Sequence, residues 1–478
     1  MTAFEIISSL PQRFRSEKWN GTLTTVSLQF IAPQALSYWV KVSERGCELI
    51  EGHTDQADCT VRCSGENYAK MEMGELNPQW ALVSGKVKVS NVAVMLEFTK
   101  MFRRIKPESE SKPMTEIKTI RPDLSGPLKG VRVLDLSRLL PGPMATLWMA
   151  ELGAEVIKIE DPDSPDPIRQ FMPIVNGKSA FYEALNRNKK SLGLNLRSAE
   201  GKAKFLSILP TADVLVEGFR PGVMKSMGLD YEACKAVNPQ LVYCSISGYG
   251  QTGPMASKAG HDINYMAMSG MLNLIPNGGM PSFQAADIAG GAYAAFGAVM
   301  AALIQQKTSN QGSYIDISMT DAVKPMATLA HINHEANPGN GFELSGQMPN
   351  YRTYLTKDNR YMALGALEPK FWERFCKKSQ KLHLLNIYTF STPEIAKAKD
   401  ELEAFFLEKT KTEWELWAEG EDFCFTPVMD FDEAKGSQIS IPNNPFGIQL
   451  INTNTGWAAP EIGEDNASFE WFNSKTTY

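Results

Sequence analysis

At 478 residues the chain is too long for one ordinary domain, and two or three are expected. Hydrophobic residues at 43% and charged residues at 21% are normal for a soluble globular protein. The formal net charge of −6 and the scattering of Lys and Arg exclude a nucleic-acid signature, so an anionic substrate has to be met by local positive charge.

The first segment opens with a helix and continues with alternating runs. "TLTTVSLQF" (Thr22–Phe30) and "SYWVKVSERGCELIEG" (Ser37–Gly52) place apolar residues with period two around a turn at Arg45-Gly46. "DCTVRCS" (Asp58–Ser64) is a third strand, "GENYAKMEMGEL" (Gly65–Leu76) a short helix, and "SGKVKVSNVAVMLEFTKMF" a strand and a closing helix. Strands followed by helices predict an α+β domain over residues 1–105 with its helices on one face. "KPESESKPMTEIKTIRPDLSG" (106–126) has the Pro, Ser and charge of a linker.

After the linker "VRVLDLS" reads as a buried strand, "PGPMATLWMAELG" as a helix with proline in its first turn, and "AEVIKIE" as the next strand. Further strands fall at "DVLVEGF", "LVYCSISG" and "SYIDISM". This alternation predicts a doubly wound parallel sheet over 127–345, rejoined by about 431–478. The turn "SRLLPGP" is not G-x-G-x-x-G, so no dinucleotide fingerprint is read. A hairpin at "RTYLTKDNRYMALGALE" and a helix at "EPKFWERFCKKS" mark a smaller α+β lobe over 346–430.

Seven cysteines without framework spacing indicate a reducing compartment, and Cys59 and Cys63 lack the second Cys/His pair of a zinc site. "HINHE" (His331–Glu335) is not H-E-x-x-H, "SISGYGQTG" is not G-x-S-x-G, and no metal is expected. The N-terminus shows no signal pattern and no apolar run is read as reaching the roughly 18–20 residues of a membrane helix. "SKTTY" is not a peroxisomal address. A cytoplasmic protein without a transmembrane segment is expected.

Chemistry concentrates at His261, Asp287 and Glu368. "GHDINYMAMSG" and "AADIAGGAYAAFGAVMAALI" each set an acid or base at the start of an apolar, glycine-bearing helix, where free N–H groups favour negative charge. Each residue also has a structural explanation: Asp262 or Asp287 as a helix N-cap, His261 as a hydrogen-bonded loop residue, Glu368 as a surface charge. Met266, Met268, Met271 and Met280 are either core filler or a pliable acyl-binding floor.

From about Gly126 to Glu461 the sequence resembles the class III CoA-transferase family, which includes the α-methylacyl-CoA racemases. The blocks carrying the likeness are "GVRVLDLSRLLPGPMATLWMAELGAEVIKIE", "NRNKKSLGLNL", "ADVLVEGFRPGVMKSMGLDYE", "LVYCSISGYGQTGP" and "GSYIDISMTDAV". The resemblance implies a Rossmann-like fold forming an interlocked homodimer. It makes Asp287 the acyl-carrying nucleophile of a transferase or an acid/base of a racemase. His261 in "GHDINY" and Glu368 in "GALEPKF" match the racemase branch, where the glutamate comes from the partner subunit and holds the histidine. CoA phosphates would fall to Arg138 and Arg220, then to Lys189 and Lys190.

"ADCTVRCSGENYAKMEMGELNPQWALVSGKVKVSNVAVMLEFTKMF" resembles the sterol-carrier-protein domain, which implies a lipid or acyl ligand there. Together these likenesses imply a racemase inverting the α-carbon of 2-methylacyl-CoA thioesters, with acyl-CoA as substrate and no cofactor or metal. The alternatives are a CoA-transferase working through an aspartyl anhydride and a non-catalytic lipid carrier.

Overall fold

The computed structural model describes residues 2–19, 21–31, 37–52, 54, 56–72, 81–82, 85–102, 126–275, 279–337, 343–389, 391–436, 445–446 and 458–468. The expected linker up to residue 125, much of the "GELNPQWALVSG" stretch and much of the C-terminal return lie outside them.

The alternating runs of the first segment form β1 (Thr24–Phe30), β2 (Ser37–Ser43), β3 (Gly46–Glu51), β4 (Cys59–Cys63) and β5 (Val87–Val89), in the sheet order β3-β2-β1-β4-β5. β1 pairs antiparallel with β2, Val26 opposite Val40, and parallel with β4, Leu28 opposite Val61. Successive strand residues point to opposite faces, so Val26, Leu28, Phe30, Val40, Val42, Cys59, Val61 and Cys63 share one buried face. Helices Ala3–Ser8, Gly65–Glu72 and Val92–Lys100 add Ile6, Ile7, Tyr68 and Phe98 to the same core. Burial pushes the Cys63 thiol up to about 11, as suits an inert core thiol.

Eleven more strands follow in chain order among the described residues: β6 (Arg132–Leu136), β7 (Glu155–Glu160), β8 (Ile174–Val175), β9 (Lys178–Ser179), β10 (Lys190–Gly193), β11 (Val214–Glu217), β12 (Val242–Ser247), β13 (Ser313–Ser318), β14 (Tyr351–Leu355), β15 (Tyr361–Gly365) and β16 (Phe425–Pro427). The chain forms two compact units: Met1–Ser125 with Glu155–Ile208 and Asn452–Tyr478, and Gly126–Ala154 with Leu209–Ile451. In the first, besides the N-terminal sheet, β7 and β10 run parallel with Ile159 opposite Leu192. Lys158 and Asp166 form a fully buried pair at 3.2 Å, and Arg169 pairs with Glu160 at 2.6 Å.

In the second unit β6, β11, β12 and β13 are parallel neighbours, with Leu134, Leu215, Tyr243 and Tyr314 side by side across them. β12 is buried along its whole length, which its run "VYCSIS" supplies without alternation. β14, β15 and β16 form an antiparallel sheet around a separate core of Tyr354, Met362, Trp372, Phe375, Phe406 and Trp414.

One sequence reading is corrected. Residues Ala286–Ser309 form a continuous helix long and apolar enough to cross a membrane, although no such run was expected. Its first eight residues, Ala286–Tyr293, are a π-helix and the rest, Ala294–Ser309, is α-helical. Phe296, Val299, Ala302 and Leu303 are buried, and the helix packs on β12, β13 and helix Pro141–Glu151. Core packing accounts for the apolarity of that face, while Tyr293 and Ile304 on the same helix are exposed.

Candidate active site

His261 stands in extended backbone immediately before helix Asp262–Met268, and its N–H donates to Asn264 Oδ1 at 3.0 Å. Its side chain is exposed. The loop before it is shaped by Tyr265, whose hydroxyl donates to the Gly260 carbonyl at 2.5 Å. A Cβ on Gly248 would lie 2.2 Å from the Tyr265 ring and one on Gly260 2.6 Å from it, so neither position admits a side chain.

Asp287 lies in the first turn of the π-helix. This helix packs closely because Gly290 and Gly291 carry no side chains: their Cβ atoms would lie 2.5 Å from the Met319 carbonyl oxygen and 2.6 Å from Pro141 Cβ. The two helix starts meet where the Asp287 N–H donates to Asp262 Oδ1 at 2.9 Å. Asp287 is therefore tied to the residue that follows His261 in the chain.

Burial of the Asp287 carboxyl, reinforced by the Asp262 charge, pushes it up to about 7. Burial also pushes the Tyr265 hydroxyl up to about 12, with Asp287, Tyr249 and Asp262 adding to the shift and Arg220 opposing it. The structure thus gathers Asp287, Asp262, Tyr265 and Arg220 into one electrostatic cluster beside the start of the His261 helix. Arg138 follows β6, and its guanidinium stands 5.1 Å from the ring centre of Phe219, the neighbour of Arg220. Buried Asp135 braces the turn that presents Arg138, accepting from the Ser137 N–H at 3.0 Å and from Thr146 Oγ1 at 2.7 Å.

Glu368 precedes helix Pro369–Lys378 and is exposed. It faces Cys424, whose thiol is raised by desolvation and then by the Glu368 charge. Among the described residues of the single chain, Glu368 makes no hydrogen bond or ion pair with His261. Lys189 is fully buried and donates to Asn186 Oδ1 at 2.9 Å, while Lys190 pairs with Glu155 at 2.6 Å. A phosphate would have to displace those partners. Of the four methionines, Met266 is buried, Met271 is half-buried, and Met268 and Met280 are exposed.

Sequence reading gave Asp262 only as a helix cap and passed over Tyr265. No local signal marks the Asp262–Asp287 bond, because 25 residues separate its ends. Among the described residues, no group of three or more His, Cys, Asp or Glu is placed to hold a metal ion.

Residues 128–466 match CoA-transferase family III. The chain belongs to that family. Its N-terminal residues 12–103 match the SCP-2 sterol transfer family. Mouse succinyl-CoA:glutarate CoA-transferase is 34% identical over 347 residues, covering 70% of this chain and 79% of that protein. Human alpha-methylacyl-CoA racemase is 34% identical over 318 residues, covering 64% and 78%. The crystal structure of a CAIB/BAIF family protein from Brucella suis matches with a TM-score of 0.63 at 26% identity, covering 73% of this chain and 100% of that one. This family III chain thus joins an acyl-CoA fold to a lipid-binding domain, with relatives in both the transferase and racemase branches.

Proposed function

We propose that this family III protein is a racemase that inverts the α-carbon of 2-methylacyl-CoA thioesters. The observation that carries the reading is Asp287: a half-buried carboxyl raised to about 7, next to the helix that His261 opens. An acid/base group works best with a pKa near the operating pH. A racemase uses both forms of Asp287, the carboxylate as base and the acid as proton donor, whereas an aspartyl nucleophile uses the carboxylate alone.

In the proposed reaction one base removes the α-proton, and the C–H electron pair moves onto the thioester carbonyl oxygen as an enolate. The conjugate acid on the opposite face then protonates the carbon, and the carbonyl re-forms. His261 serves one face and Asp287 the other, with Glu368 of a second subunit orienting the histidine in a homodimer. Arg220 and Arg138 hold the CoA phosphates through charge-assisted hydrogen bonds. This exchange calls for neither a redox cofactor nor a metal.

The SCP-2 domain supports a bulky lipid-like acyl group, branched fatty or steroid in kind, whose local concentration the tether raises. The transferase reading is favoured by several relatives, the mouse and human succinyl-CoA:glutarate CoA-transferases among them, and would use Asp287 to form an anhydride. Incubation with a 2-methylacyl-CoA in deuterated water, without an acceptor acid, separates the two. Deuterium is expected at the α-carbon. No exchange, with CoA transfer appearing when a carboxylic acid is added, overturns the racemase.

A further inference from the structure

The bond between Asp262 and Asp287 has no place in the two-base scheme, yet it joins the two helix starts that the scheme uses. The Asp287 N–H lies in the first turn of its helix, where backbone donors lack intrahelical partners. Asp262 supplies the acceptor from 25 residues earlier in the chain. Among the described residues neither carboxylate forms an ion pair, and the charge that acts on the Asp287 carboxyl is that of Asp262.

We propose that Asp262 is a positioning residue: its carboxylate ties the Asp287 backbone to the helix opened by His261. The charge it brings to that contact favours the protonated form of Asp287. The proposal rests on the racemase reading for its catalytic meaning, but the tie itself is geometric. The other groups on elements packed around the π-helix are few. His261 and Tyr265 flank Asp262, and Arg220 and Tyr249 act on Tyr265. Asp321, on the turn Met319–Ala322, is held by Ser318 Oγ at 2.7 Å and Lys324 at 2.6 Å. β13 carries Tyr314 and Asp316, the latter accepting from the Gln251 N–H at 3.0 Å. Helix Pro141–Glu151 contributes Glu151 at its far end, and Lys307 lies about 30 Å along the helix from Asp287 by its rise per residue. Of these groups, Asp262 is the charge that raises the Asp287 carboxyl beyond the effect of burial.

Asp262→Asn keeps an oxygen acceptor for the Asp287 N–H and removes the charge. The test is a titration of full-length protein labelled with 13C at aspartate carboxyls, the Asp287 signal being assigned by its loss in Asp287→Asn. Wild type should titrate near 7, and Asp262→Asn about one unit or more lower, with the melting temperature kept. Asp262→Glu, which retains the charge, should keep a raised midpoint. Should Asp262→Asn not fold, Asp262→Ser gives the same neutral comparison. A midpoint unmoved in the neutral variant overturns the proposal. Because this readout needs no turnover, a shifted midpoint in a protein that fails to exchange α-protons would uphold the coupling of Asp262 to Asp287 and defeat only the racemase.

For catalysis, Asp262→Ala removes bond and charge together. We expect kcat for α-proton exchange to fall at least about tenfold with KM little changed, since no contact to CoA is lost. A rise in KM with kcat unchanged would contradict a positioning role.

Discussion

His261 is exposed and Asp287 is half-buried beneath a second carboxylate, so the two faces of a planar enolate would meet different acids. In the proposed two-base reaction that asymmetry would give a direction-dependent pH response. With Asp287 as the base, its carboxylate must be free, and kcat/KM should rise through about pH 7. With Asp287 as the acid, its proton must be present, and kcat/KM for the opposite epimer should fall through the same region. Initial rates of deuterium incorporation from each pure epimer, between pH 5.5 and 8.5, check both limbs. Parallel limbs for the two epimers would contradict the assignment. His261→Ala should cost about 10²–10⁴-fold in proton transfer on its own face, the usual range for a positioned acid or base. At this scale resemblance singled out His261 and Asp287. It did not reveal that Asp262, read as a cap for its own helix, caps a different one. The pair Lys189-Lys190 read as a binding or solvated turn; instead Lys189 is buried against Asn186, a placement set by neighbours that no local pattern records.

Among elements, the π-helix Ala286–Tyr293 is the least expected and the most consequential. π-turns are rare and concentrate at functional sites, and this one carries Asp287. Its sequence is apolar and small, which signals a helix without specifying its winding. The two glycines decide how near it lies to Met319 and Pro141. Gly290→Ala should therefore destabilise by about 1–3 kcal/mol, because the new methyl meets the Met319 carbonyl, a backbone atom that cannot swing aside. Gly297 is a matched control further along, where a Cβ meets nothing within 4 Å. Gly297→Ala should be neutral or stabilising by up to about 1 kcal/mol through helix propensity. Denaturant midpoints of the two variants test the contrast, and equal losses would refute the packing account. The longer strands were readable from period two or unbroken apolar runs. β10 and β16 were missed because "KSLG" and "FTP" are too short, and the second contains proline.

For the molecule as a whole, two sequence likenesses set the architecture, whereas its response to pH rests on carboxylates that composition leaves invisible. Paired acids such as Glu160, bound by Arg169, are held low, and folding favours their ionised form. Glu217 does the reverse. It ends β11 beside Ser245, whose other neighbour across the sheet is Asp316. Desolvation, opposed by hydrogen bonds from Ser245 and the Phe219 N–H and aided by the Asp316 charge, pushes it from 4.5 to about 7. The folded state consequently holds a proton that the unfolded chain releases near 4.5. Its contribution to stability is fully present below that value and is lost as pH rises to about 7. Glu217→Gln keeps the shape and cannot ionise. At pH 5 the variant and wild type should lie close together, and by pH 8 the variant should be more stable by about 2–3 kcal/mol, from 1.36 kcal/mol per pKa unit. Chemical denaturation of both proteins at the two pH values measures the difference. A gap that stays constant, or that widens toward acid, would mean that Glu217 folds as a carboxylate.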